Sequence, residues 1–197
     1  MTQDKKIKGL VLAGGQSRRM GRDKALLVRE GKSQLQHAVE LLQEFLPEVF
    51  VSTRADQDSD PERGRYQRIV DRYQNMGPLA GILSALECAP DFSWLVLACD
   101  LPNVDARTIE TLLEQCSESQ PFTAFASTYD GLPEPLCGIY APEAGEILRR
   151  FADDGIFCPR KIMIRSDTCL LQQPDPAALD NINTPDDLAG SNLEAVS

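Results

Sequence analysis

IKGLVLAGG, residues 7–15, is a run of branched apolar residues that stops at two glycines, and it reads as a buried parallel strand entering a tight loop. WLVLACD, residues 94–100, has the same form but stops on a carboxylate. Segments of helical periodicity separate these and other short apolar runs. SQLQHAVELLQEFL (33–46) places Leu35, Ala38, Val39, Leu41, Leu42 and Leu46 at approximate helical spacing, with Ser33 as its cap. VFVST (49–53) and IVD (69–71) are further short strands, and the polar stretch RADQDSDPERGRYQR (54–68) between them reads as an exposed loop or poorly packed helix. GPLAGILSALECA (77–89), VDARTIETLLEQC (104–116) and PEAGEILRRFADDG (142–155) read as helices, the first and last with proline near the start. PFTAFAS (121–127) and EPLCGIY (134–140) flank a DGLPEP turn as two strands, CLLQQ (169–173) is a short apolar run, and Thr184 is placed to cap a last helix. Strands alternating with helices predict an α/β protein with a mostly parallel sheet.

The 197-residue chain, 42% apolar and 25% charged, is long enough for one sizeable core and is expected to form a single domain over 1–197, with its core at about 7–190. No apolar stretch approaches the roughly 18 to 20 residues that cross a bilayer. The start MTQDKKIKGLVLAGG lacks a secretory hydrophobic region and a cleavage-type end, which predicts a cytoplasmic protein with no membrane partner. The six cysteines form no CxxC or metal-knuckle pattern, and the single His37, inside a helical apolar stretch, reads as structural. A formal charge of −10 argues against a general nucleic-acid binder. An anionic substrate therefore needs a locally basic site or a metal ion.

LAGGQSRRMGRDKALL (12–27) supplies such a site. Gly14 and Gly15 let the backbone approach an anion, Arg18, Arg19, Arg22 and Lys24 bring positive charge to the same loop, and Met20 packs beneath it. The loop matches neither GxxxxGK[ST] nor GxGxxG, so a structural turn with a solvated basic face stays open beside a phosphate nest. Asp100 and Asp71 end strands as residues lining the crevice of an α/β sheet do, and a divalent ion at Asp100 would offset substrate charge; a helix cap or acidic loop is the plainer reading of each. Asn181 and Asn183 in DNINTP, Glu134 beside Pro135, and Arg160 with Lys161 in CPRKIM offer further polar groups that serve a substrate or merely make turns and solvated surface.

LAGGQSRRMGRDKALL, VDRYQNMGPLAGI (70–82), ACDLP (98–102), EPLCGIY and DNINTPDDL (180–188), in that order, resemble the molybdenum cofactor guanylyltransferase family over about residues 7 to 190. The resemblance implies a Rossmann-like nucleotidyltransferase with a three-layer α/β/α sandwich. It also implies transfer of GMP from GTP to the terminal phosphate of molybdopterin, or its molybdenum-loaded form, with release of pyrophosphate. By similarity, Leu12, Ala13, Gly14 and Gly15 hold the nucleotide, Lys24 contacts phosphate, Asp71 lies on the nucleotide side, and Asp100 is the Mg²⁺ ligand. Lys24, Arg19 and Mg²⁺ then offset the charge between attacking and departing phosphates. Asn181, Asn183 and, more loosely, Arg160 match the acceptor side. Molybdenum-insertion proteins and molybdoenzyme chaperones are the implied further partners. Ser52, Thr53 and Arg54 stand where family members often carry asparagine, and EPL replaces an HPT-like form. The sister cytidylyltransferases more often open with LAAG; LAGG leaves more room for a purine and favours guanine. Two other readings stay open: a nucleotidyltransferase acting on a sugar or polyol phosphate, and a non-catalytic adaptor of the cofactor pathway.

Overall fold

A computed structural model describes residues 6–14, 23–57 and 59–180, with the side chain of Lys24 outside that set. A seven-stranded sheet forms the middle layer. Its strands are β1 (Ile7–Leu12), β4 (Val49–Thr53), β5 (Gln67–Val70), β6 (Ser93–Ala98), β7 (Phe122–Ala126), β8 (Pro133–Tyr140) and β9 (Thr168–Leu171), in the order β5-β4-β1-β6-β8-β7-β9. Two-residue strands β2 (Val28–Arg29) and β3 (Lys32–Ser33) make a separate antiparallel pair. The β5-β4-β1-β6 half is all parallel. β8 runs antiparallel to both of its neighbours, and β9 pairs parallel with β7. This is the mixed, mostly parallel sheet of a Rossmann-like nucleotidyltransferase fold.

Alternation along β6 explains the two cores. Leu95 and Leu97 face one side, where they join Val11, Val51 and residues of α1 (Gln34–Gln43) and α3 (Ala106–Glu114). Trp94 and Val96 face the other, against α2 (Pro78–Cys88), α4 (Ala144–Asp153) and α5 (Pro159–Ile164). Strands buried on both faces must be apolar at successive positions, which is why the parallel half reads as continuous hydrophobic runs. Lys8 is the exception within β1: its ammonium meets Glu48 at 2.6 Å and lies 4.2 Å from the centre of the Phe92 ring.

Local signals set the helix starts. Ser33 Oγ accepts the Gln36 N–H at 3.0 Å and Asp105 Oδ1 accepts that of Thr108 at 2.9 Å, while Pro78 occupies the first turn of α2, where no intrahelical donor is lost. His37 Nε2 lies 2.9 Å from the Arg29 carbonyl, tying α1 to the small hairpin.

Residues 54–68, expected as an exposed loop or poorly packed helix, are mostly exposed or half-buried among the described residues and hold short 3₁₀ turns at Ala55–Gln57 and Arg63–Arg65; the departure from expectation is that Arg63 is fully buried. CPRKIM, read as an anion clamp or a solvent-facing charge pair, opens α5 through Pro159, and the run CLLQQ supplies edge strand β9. The expected final helix at Thr184 lies outside the described residues.

Candidate active site

Strand register brings the site together. Leu12 pairs with Ser52 on one side and Ala98 on the other, and Thr53 pairs with Val70. The carboxyl ends of four parallel strands therefore stop level with one another. Backbone bonds carry the alignment one residue further, from Ala13 N–H to the Ser52 carbonyl, Asp71 N–H to that of Thr53, and Cys99 N–H to that of Leu12. The chain leaves β1 toward β4 on one side, and later places β6 on the other, so this edge is a topological switch point. A cleft of about 780 Å³ opens there, a size suited to a nucleotide-scale ligand.

Leu12, Ala13, Gly14, Asp71 and Asp100 of the sequence-derived set all line this cleft. Gly15, Arg19, Asn181 and Asn183 lie outside the described residues, as do Arg18, Met20 and Arg22; of Lys24 only the backbone, at the start of a 3₁₀ turn, is described. Arg160 is elsewhere: its Nε donates to the Pro133 carbonyl at 2.9 Å and its Nη2 to Asp130 at 2.9 Å and Glu134 at 3.4 Å, bracing the start of β8, and it is not part of the cleft wall.

Asp71 is half-buried under Gly14, where a Cβ would lie 3.4 Å from Asp71 Oδ2. Burial pushes its carboxyl above the usual range, against the downward pull of the Ser52 hydroxyl, which donates to Oδ1 at 2.7 Å, and of the nearby Arg54 guanidinium. Ser52 itself needs space on α2, since a Cβ at Gly81 would sit 2.2 Å from Ser52 Oγ. This is the physical content of the glycine in GPLAGI. Arg54 donates through Nη1 to the Gly14 carbonyl and through Nε to Asp56 at 2.9 Å, holding the glycine turn against the end of β4. That hydrogen bond keeps Asp56 below the ordinary carboxylate range.

Asp100 lies two residues beyond the end of β6, after Cys99, half-buried at the cleft wall. Among the described residues no three His, Cys, Asp or Glu side chains cluster as an all-protein metal cage. A single strand-end carboxylate does fit Mg²⁺ that arrives on substrate phosphates, because this ion keeps water and phosphate oxygens and takes few protein ligands. At Cys99, beside Asp100, burial and the neighbouring carboxylates of Asp100 and Asp23 push the thiol far up, which disfavours the thiolate. Burial likewise pushes Cys137 up to about 12.

The residue that sequence reasoning missed is Arg63. Its Nε and Nη2 both donate to the Ala13 carbonyl, at 3.2 and 2.7 Å; Nη2 also meets Asp23 at 2.7 Å and Nη1 meets Asp60 at 2.8 Å. Burial alone would raise Asp60, but the backbone N–H and charge of Arg63 outweigh it and hold the carboxyl low. The only sequence signal was an arginine two residues after proline in an otherwise polar stretch, which says nothing about burial.

Residues 9–169 match the MobA-like NTP transferase domain family. The chain belongs to this family. It is 36% identical over 184 residues to the molybdenum cofactor biosynthesis bifunctional protein of Synechocystis sp., covering 93% of this chain but only 53% of that protein. It is 32% identical to the molybdenum cofactor guanylyltransferase of Shewanella sediminis, covering 91% of this chain and 92% of the relative. The crystal structure of molybdopterin-guanine dinucleotide biosynthesis protein A from Archaeoglobus fulgidus superposes with a TM-score of 0.77 at 28% identity, covering 93% of this chain and 95% of that one. Family and fold together give the enzyme class of nucleotidyltransferases. No described helix is long and apolar enough to cross a membrane.

Proposed function

We propose that the chain transfers GMP from GTP to the terminal phosphate of molybdopterin or its molybdenum-loaded form, forming a guanine dinucleotide and releasing pyrophosphate. The observation that carries this reading is the convergence of the Gly14 turn, Asp71 and Asp100 on one switch-point cleft. The similarity to a guanylyltransferase over 91% of the chain supports the choice of donor and acceptor.

The reaction needs no protein nucleophile. A phosphate oxygen of the acceptor is already anionic and attacks the α-phosphorus of GTP; the bond to the bridging oxygen breaks and pyrophosphate carries that electron pair away. The chain's task is alignment and charge balance. The backbone of Leu12 to Gly15 and the Asp71 side hold the nucleoside end, while Lys24 and Arg19 draw positive charge to the phosphates. Asp100 holds Mg²⁺, which when bound offsets charge on the phosphates. Asn181 and Asn183, with Arg160 more distantly, serve the acceptor side. Arg54 takes a place where family members often have asparagine, and its grip on the Gly14 carbonyl favours a fixed nucleotide turn.

Pyrophosphate release with Mg²⁺ and molybdopterin, compared for GTP, CTP and ATP beside an acceptor-free control, tests the proposal. GTP-selective release and a product whose mass equals molybdopterin plus GMP are expected. CTP preference moves the chain to cytidylyl transfer, and release only with a sugar or polyol phosphate moves the acceptor. Failure with every nucleotide favours a pathway adaptor. Asp100→Ala is expected to lower turnover by about two orders of magnitude or more with little change in Tm. Undiminished Mg²⁺-dependent turnover would remove Asp100 from the metal role.

A further inference from the structure

Arg63 is the one arginine whose side chain is wholly enclosed among the described residues, and it is surrounded by parts of the site rather than open to it. Its guanidinium ties its own turn, through Asp60, to two places far away in sequence: Ala13 just after β1 and Asp23 at the far side of the glycine-rich segment. Ala13 and Asp23 both line the cleft, so the guanidinium spans the two described ends of the segment that begins at Gly14. The turn carrying it is fastened from outside as well, because the Ser33 hydroxyl donates to Glu62 at 2.8 Å.

Asp23 poses an electrostatic difficulty. It is a carboxylate in the wall of a cleft read here as taking a nucleoside triphosphate, one residue before Lys24, on a chain of formal charge −10. An unpaired carboxylate there repels the phosphates. With Arg63 at 2.7 Å, part of its charge is offset from inside the protein, the guanidinium being shared with Asp60 at 2.8 Å, and its other oxygen accepts the Ala25 N–H at 3.1 Å. Only a planar fork of donors serves all three partners; an ammonium is a single point.

We propose that Arg63 is a positioning residue for the nucleotide, fixing the Ala13 carbonyl and the Asp23 carboxylate at the two ends of the glycine-rich segment, turning that carboxylate into the protein and offsetting part of the charge that would otherwise face the phosphates. The inference rests on the nucleotidyl reading of the cleft. It does not depend on which base or acceptor is used. Arg63 itself touches no substrate, since its side chain has no exposed surface.

Calorimetric titration of Mg²⁺–GTP into wild type, Arg63→Lys and the double variant Arg63→Lys/Asp23→Asn, each well below its own Tm, tests this. Arg63→Lys is expected to raise Kd and the nucleotide KM about tenfold while kcat changes by less than about threefold. Removing the uncompensated carboxylate in the double variant is expected to recover at least about half of that loss on a logarithmic scale. A merely structural role predicts a lower Tm with no change in Kd among the molecules that remain folded. An Arg63→Lys variant that binds as wild type does, or a double variant without recovery, overturns the proposal. If Arg63→Lys does not fold, Asp23→Glu takes its place: the extra methylene pushes the carboxylate out of the fork toward the cleft, and Kd is expected to rise several-fold. An unchanged Kd then overturns the proposal equally. A wild-type chain that binds none of GTP, CTP and ATP overturns the nucleotidyl reading, and this positioning role with it, before any variant is compared.

Discussion

At Asp71, burial raises the carboxyl pKa above its ordinary value and the Ser52 hydroxyl and Arg54 only partly reverse the rise. A raised carboxyl favours folding while it is protonated. Its contribution is complete below the unfolded-state pKa and is lost as pH climbs through the folded-state value. Asp71→Asn keeps an oxygen for the Ser52 hydroxyl but carries no charge. The stability of the variant relative to wild type should therefore increase from about pH 3 to about pH 7, read as the difference in urea midpoint at each pH. A difference that does not change with pH would show that burial of the ionised form costs nothing. Asp71 and Asp100 were legible in the sequence because a carboxylate directly after an apolar run marks a strand end. Arg63 was not, because its burial depends on Ala13, 50 residues away, and on Asp23, 40 residues away, partners that only the completed fold brings near. Local pattern carries no record of such a pairing.

Elements were legible where they repeat one chemical rule. The parallel strands β1 and β6 had to be apolar on both faces, and α1 shows its capping Ser33, so each was recognisable alone; the cap of α3, Asp105, emerges only in the structure. The direction of β8 was not: EPLCGIY reads as a strand whichever way it runs, and its antiparallel pairing with β6 is set by what lies on either side of it. The register between α2 and β4 was equally hidden. Gly81 reads as a helix weakness, yet it is the position at which α2 passes over Ser52. Gly81→Ala should force the Ser52 hydroxyl off Asp71 and destabilise the protein by about 1 to 3 kcal/mol, despite the better helix propensity of alanine. Adding Ser52→Ala removes the atom met at 2.2 Å but leaves Ser52 Cβ at 3.0 Å and Leu12 Cδ2 at 3.1 Å, so the double variant should regain only part of the loss. Urea unfolding of both variants measures this. A Gly81→Ala protein as stable as wild type would mean that α2 shifts without cost.

The whole molecule hangs on strands that serve two cores at once. β6 gives Trp94 and Val96 to the core under α2, α4 and α5, and Leu95 and Leu97 to the core under α1 and α3. Neither face can lose its packing while β6 keeps its backbone pairing to β1 and β8, so the two cores should unfold in one cooperative step despite lying on opposite sides of the sheet. The chain has natural reporters for each. Trp94, the single tryptophan, is fully buried in one core, and Cys137 and Cys99 are buried in the other, whereas Cys88 and Cys158 are exposed. In reducing-agent-free urea, a thiol reagent should modify Cys88 and Cys158 at once and Cys99 and Cys137 only across the transition in which Trp94 fluorescence shifts to the red. Coincident midpoints are the expected result, and they would also establish that the described residues behave as one folding unit. Thiols of Cys99 or Cys137 that react at a urea concentration where Trp94 remains native would show the α1 and α3 face opening independently. The cleft would then lie on a boundary between two separately stable layers, because Cys99 lines it from one core while Gly81 of α2 lines it from the other side of the sheet.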